Sequence, residues 1–170
     1  MGLTLLIAGP VAAAPAGSDA AAESRALCQQ ADVLTGEARA QALARGMALA
    51  EGAREANDGD ALAHFALACN LGKQMEESSL GGQLMRLPRL RRELDAALVL
   101  APDDADALTA KGALLVRLPR LLGGDLREAE QLLRRALAAE PDNDTARCYL
   151  AEALTALGAA DDARALDAHC

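Results

Sequence analysis

The chain reads as all-α, a stack of antiparallel helix pairs, on three observations. Its 170 residues are 52% hydrophobic yet include one Phe, one Tyr and no Trp. A core must therefore be built from Leu and Ala, residues of high helix propensity. The 14 Gly and 6 Pro fall mostly between periodic segments rather than within them. One turn is also spelled twice: Ala97-Leu98-Val99-Leu100-Ala101-Pro102-Asp103-Asp104-Ala105-Asp106-Ala107 returns as Ala136-Leu137-Ala138-Ala139-Glu140-Pro141-Asp142-Asn143-Asp144-Thr145-Ala146. Each copy has a leucine three positions ahead, Leu94 and Leu133. Recurrence at this spacing marks stacked helical repeats, in which each unit buries the apolar face of the next.

The elements follow in order. Residues 1–16 read as the remnant of a secretory signal: Leu3 to Ala8 is apolar, Gly9-Pro10 breaks it, and Ala12-Ala13-Ala14-Pro15-Ala16 offers small-residue cleavage sites. Residues 17–170 then form a single repeat domain, and the protein is expected to be exported, to the periplasm. Ala20 to Leu34 predicts a first helix, ending near Thr35-Gly36. Glu37 to Ala56 predicts a second, closed by Asn57-Asp58-Gly59. Asp60 caps a third, with Leu62, Phe65, Ala66 and Cys69 on one face and Gly72 as its end. The polar stretch Lys73 to Gln83, with Gly81-Gly82, predicts a loop, and Pro88 suits the first turn of a helix running to Ala101. Pro102-Asp103-Asp104 is a stop and a cap. Ala105 to Leu118 and Leu126 to Ala139 form the next pair, separated by Pro119 and Gly123-Gly124-Asp125. Pro141-Asp142-Asn143 resets the chain for a hairpin of Thr145 to Leu157 and Ala160 to Ala168, turning at Gly158.

Charge and cysteine content narrow the function classes. A net charge of -8 opposes nucleic-acid binding, which needs a basic face. The arginines gather in two places, Arg86, Arg89, Arg91 and Arg92, then Arg117 and Arg120. These are either solvated helix faces or a local site for an acidic ligand or partner. No apolar run is long enough for a stable membrane span. Four cysteines in an exported chain read as disulfides. Cys148 and Cys170 lie near one end of the last hairpin and form the preferred bridge, leaving Cys28 with Cys69. The alternative is that Cys69 and Cys148 are small buried apolar residues. Only two histidines are present, His64 and His169, and no CxxC or HExxH. His64 therefore reads as a packed or half-exposed histidine, and neither metal nor cofactor is expected. Asp142-Asn143-Asp144 is explained by a helix N-cap rather than a calcium loop. No nucleophile–base–orienter set or phosphate loop is legible, so no enzyme is expected.

These residues resemble the tetratricopeptide repeat, a right-handed superhelix of antiparallel helix pairs. With Pro141 at the closing position of that repeat, Ala136, Leu133 and Ala129 fall on its small and large apolar positions. Leu150, Ala151, Leu154, Gly158 and Ala163 match the following unit. About three repeats are accommodated. Two of them have extended intra-repeat loops, of about five extra residues within Leu118 to Gly124 and about a dozen within Lys73 to Arg86. Ala63-His64-Phe65-Ala66-Leu67-Ala68 and the Leu118-Pro119…Gly123-Gly124 loop resemble a narrower group, the repeat proteins called regulators of microtubule dynamics and the T component associated with tripartite periplasmic transporters.

That resemblance implies a concave face lined by Asp60, Ala63, Leu67 and Asn70, by Asp106, Thr109, Ala113 and Val116, and by Thr145, Cys148, Glu152 and Thr155. Together with Arg86, Arg117 and Arg120 on the loop lip, Asn70, Thr109, Val116, Cys148, Glu152 and Thr155 are the expected binding residues. A second internal likeness, Leu84-Met85-Arg86-Leu87-Pro88-Arg89-Leu90 with Leu115-Val116-Arg117-Leu118-Pro119-Arg120-Leu121, is out of repeat register. It reflects either Arg/Leu bias or a paired contact surface. The expected function is an extracytoplasmic adaptor or scaffold for a protein or peptide in the cell envelope. The alternative is a carrier of a small apolar ligand associated with a transporter subunit.

Overall fold

The structure is a computed structural model that describes residues 17–167 and 170. The signal-like segment 1–16 and His169 lie outside them. Eight α-helices follow one another: α1 (Gly17–Gln30), α2 (Gly36–Ala56), α3 (Ala61–Glu76), α4 (Leu80–Leu100), α5 (Ala105–Arg117), α6 (Leu126–Ala139), α7 (Asp144–Ala156) and α8 (Ala160–Asp167). A 3₁₀ turn, Arg120–Leu122, sits between α5 and α6. Helices pack pairwise as α1–α2, α3–α4, α5–α6 and α7–α8, a tetratricopeptide-like stack. The last three pairs match the expected repeats, and α1–α2 adds a pair ahead of them. None of the described helices is long and apolar enough to cross a membrane.

The duplicated turn is duplicated in space. Asp104 N donates to Ala101 O at 3.2 Å and Asn143 N to Glu140 O at 3.1 Å. Asp104 and Asn143 then cap α5 and α7 by accepting from the backbone N–H three residues on. Each cap satisfies a helix N-terminal donor that would otherwise lack a partner. Asp60 and Asp125 do the same for α3 and α6.

Small residues at repeat positions let helices touch. A Cβ on Gly112 of α5 would lie 2.6 Å from Leu133 Cγ of α6. Leu108, Leu133, Ala136, Ala146 and Leu150 close that core with almost no exposure. In the first half alanines dominate: Ala21, Ala53 and Ala63 seat α1 against α2 and α3. Disulfides tie α1 to α3 (Cys28–Cys69, Cα atoms 6.1 Å apart) and α7 to the C-terminal residue (Cys148–Cys170, 5.4 Å).

The region 72–88 departs from expectation. Gly72 does not end α3, which continues to Glu76, and α4 begins at Leu80. The surplus residues therefore lengthen two helices rather than form a loop. Gly72 faces Leu90 across α3–α4, where a Cβ would meet only ordinary contact, so no close approach there demands a glycine. Gly81 and Gly82 fall in the first turn of α4, behind a Ser79 cap. Pro88 lies inside α4, not in its first turn. Only the Leu118–Gly124 excursion remains a true extended loop.

Candidate functional site

Lengthening α4 has a geometric consequence. Near the duplicated turn, Ala97 of α4 and Ala107 of α5 close around Phe65 of α3. Beyond that point α4 and α5 pack sparsely and diverge. The gap is an apolar groove of about 680 Å³. Its floor is α3, at Ala68, Cys69, Gly72 and Met75. One wall is α4, where Leu80, Leu84, Leu87, Leu90 and Leu94 recur at helical spacing. The other is α5, at Ala110, Ala113, Leu114 and Arg117, continued by Leu118, Pro119 and Leu122 of the loop. Tyr149 of α7 closes one side, with Arg117 Cζ 5.2 Å from the centre of its ring. Leu80 is 71% exposed and Leu121 98%, so apolar side chains continue past the rim.

The loop that forms the far lip is held rather than loose. The Arg91 guanidinium reaches across from α4 and donates to the Leu122 carbonyl oxygen. Gly123 adopts φ +80°, a conformation that favours glycine. A Cβ there would lie 2.7 Å from Arg91 Nη2, and one on Gly124 would overlap the Leu118 carbonyl. Gly123 is thus required by its backbone conformation, and Gly124 by the close approach of the loop to the end of α5.

The two Arg-Leu-Pro-Arg segments meet across this groove. Leu87 and Leu118 occupy the same apolar cluster, on opposite walls. Their backbones differ, one mid-helix and one just past a helix end. The two copies share a location but not a backbone conformation.

The expected binding residues separate into three groups. Arg117 lines the groove, Arg120 sits in its lip and Arg86 lies on α4 between Leu84 and Leu87. Glu152 and Thr155 are exposed on α7 but do not line the groove. The others are occupied. Asn70 is fully buried because α1 lies over the face of α3 expected to be concave. Its amide Nδ2 donates to Ser24 O at 3.2 Å and Ala66 O at 2.8 Å, with Ser24 Oγ at 3.1 Å. Thr109 is buried and donates to Ala105 O at 2.7 Å, Val116 packs against the α5–α8 core, and Cys148 is spent in its disulfide. Sequence reasoning missed Tyr149, Leu84 and Leu122. Tyr149 is the one tyrosine of a nearly aromatic-free chain, which is the signal that would have found it.

Electrostatics set the groove apart. Lys73 and Glu76 at its edge are paired, with Asp32 and with Arg39 (2.9 Å). Lys111 is held between Asp95 (2.9 Å) and Glu128 (3.3 Å), which raise its ammonium above the ordinary lysine range although burial opposes them. Among the described residues, twelve cationic side chains meet a carboxylate; those that do not are Arg86, Arg91, Arg92, Arg117 and Arg120. All five lie on α4 or at the α5–loop corner.

His64 is a packed histidine, buried, with Nδ1 2.7 Å from Glu93 Oε2 and Nε2 3.0 Å from Asp58 O. It fixes the α2–α3 turn to α4. Among the described residues no group of three or more His, Cys, Asp or Glu could hold a metal ion.

An all-helical stack carrying an apolar groove defines a helical-repeat protein. A family model described as a tetratricopeptide repeat matches residues 120–166, which span the last turn of the lip, α6, α7 and most of α8. No curated protein matches the chain.

Proposed function

We propose that this protein is a non-catalytic adaptor that binds a segment of a partner protein in the α3–α4–α5 groove, and that it works outside the cytoplasm. Tetratricopeptide repeats generally mediate protein–protein contacts, which supports the scaffold role. The single observation that carries the site is the row of leucines on α4 facing α5 with no helix between them. A stripe at helical spacing along a groove suits an inserted apolar segment. Arg117 and Tyr149 at its end are residue types that anchor interfaces. Two disulfides in a chain of this size support an oxidising compartment, and the signal-like start agrees with it. The transporter-associated T component remains the narrower resemblance behind an envelope partner.

Photo-cross-linking tests the site. A photoreactive residue at Leu84 or at Leu122 should capture the same partner, and one at Glu152 should not. Capture from Glu152 alone would move the site to the exposed face of α7.

A further inference from the structure

We infer that the groove's occupant is an acidic amphipathic helix: a partner segment with apolar residues at helical spacing and a carboxylate-rich flank. This deepens the adaptor reading and rests on it.

Shape argues for a helix. The α4 wall presents Leu80, Leu84 and Leu87 in register, and α5 presents Ala110, Ala113 or Leu114, and Arg117 at the same periodicity. Two walls of matching helical period, diverging from a common vertex at Ala97 and Ala107, accept a third helix packed against both.

Charge argues for acid. The protein is anionic overall, at -8, so a generic partner would meet a negative surface. Yet the cations left without a carboxylate are confined to α4 and the α5–loop corner. Arg86, Arg117 and Arg120 are exposed there. Arg117 is braced on the Tyr149 ring rather than neutralised, so its guanidinium stays available to donate to a carboxylate. A basic rim around an apolar trough, on an acidic molecule, selects a segment combining both chemistries and repels others like the protein itself.

The experiment is a display selection of helix-length peptides of random charge on the full disulfide-bonded chain. Each enriched peptide is then measured against Leu84→Asp and against the double variant Arg117→Glu/Arg120→Glu. Leu84 is partly exposed, and circular dichroism checks that each variant keeps its helices. Enriched peptides should carry more acid than base, lose at least about tenfold in affinity on Leu84→Asp, and lose a similar factor on charge reversal. The double variant should in turn enrich basic peptides. Groove-dependent peptides that are neutral or basic overturn this inference and leave the groove intact. Peptides indifferent to Leu84→Asp overturn the groove itself. If palmitate binds stoichiometrically in a Leu84-dependent way and no peptide does, the occupant is a small apolar ligand and the helix is wrong.

Discussion

Gly112 shows how little room single residues have. Its missing Cβ is where Leu133 sits, with the nearest carbon 2.6 Å from the ideal position. Gly112→Ala should destabilise the chain by about 1–3 kcal/mol, because neither α5 nor α6 can withdraw without opening the α5–α8 core. Chemical denaturation measures it, and an unchanged midpoint would show that this helix contact yields. Asp106 is a different case. Burial pushes its carboxyl above the ordinary range, Arg25 pulls it down by less, and Asp104 and Glu140 add to the rise. The native state therefore binds that proton more readily than the unfolded chain. Ionised Asp106 costs stability as pH rises from the ordinary carboxylate value through the raised one, and the cost vanishes as pH falls. Asp106→Asn should gain on the wild type as pH rises above the ordinary carboxylate value, by less than about 1 kcal/mol. A wild-type advantage that grows over the same range contradicts this. At this scale the sequence was most readable where side chains meet their own backbone: Asp60, Asp104, Asp125 and Asn143 are caps as their positions implied. It was least readable for Asn70, whose fate depends on α1 from far up the chain.

At the scale of elements, α5 to α8 were legible nearly to the residue, since Pro, Gly and Asp punctuate them. The α3–α4 hairpin was not. Polar residues and three glycines between Gly72 and Gly82 mimic a loop, and only the packing of Met75 and Leu71 against Leu87 and Leu90 makes them helix. Pro88 in mid-α4 leaves the Leu84 carbonyl without its helical donor. Pro88→Ala should stabilise α4 by about 2 kcal/mol, seen as slower amide exchange over residues 84–92. Faster exchange there would mean that the proline holds the wall in shape. The bridges close loops of 41 and 22 residues. Chain entropy then assigns about 4 kcal/mol to Cys28–Cys69 and about 3 kcal/mol to Cys148–Cys170. Cys28→Ser/Cys69→Ser should accordingly lower the melting temperature more than Cys148→Ser/Cys170→Ser. The reverse order would place the weaker half of the stack at its C-terminal end.

For the whole molecule, the groove exists because two well-packed halves meet along a short seam. Phe65 fills that seam with Ala97 and Ala107, and the Arg25–Asp106 pair also runs from α1 to α5. Phe65→Ala should cost about 3–5 kcal/mol and uncouple the halves, so that denaturation followed at the two ends of the chain no longer coincides. Coincident transitions would show that the halves are joined elsewhere. The repeat class was readable because its signature is local and recurs. The groove was not, because it arises from a mismatch in length between α4 and α5 that becomes visible only once both are placed. The Arg-Leu-Pro-Arg likeness was the one trace of it in the sequence, since it marks both walls.

Tyr149 gives this architecture a built-in gauge. The chain has no tryptophan and no second tyrosine, so emission excited beyond the phenylalanine band comes from one ring at the groove's edge, beneath the Arg117 guanidinium. Any molecule that enters the groove or draws Arg117 away changes what that ring senses. Occupancy can therefore be followed by the unlabelled protein's own light.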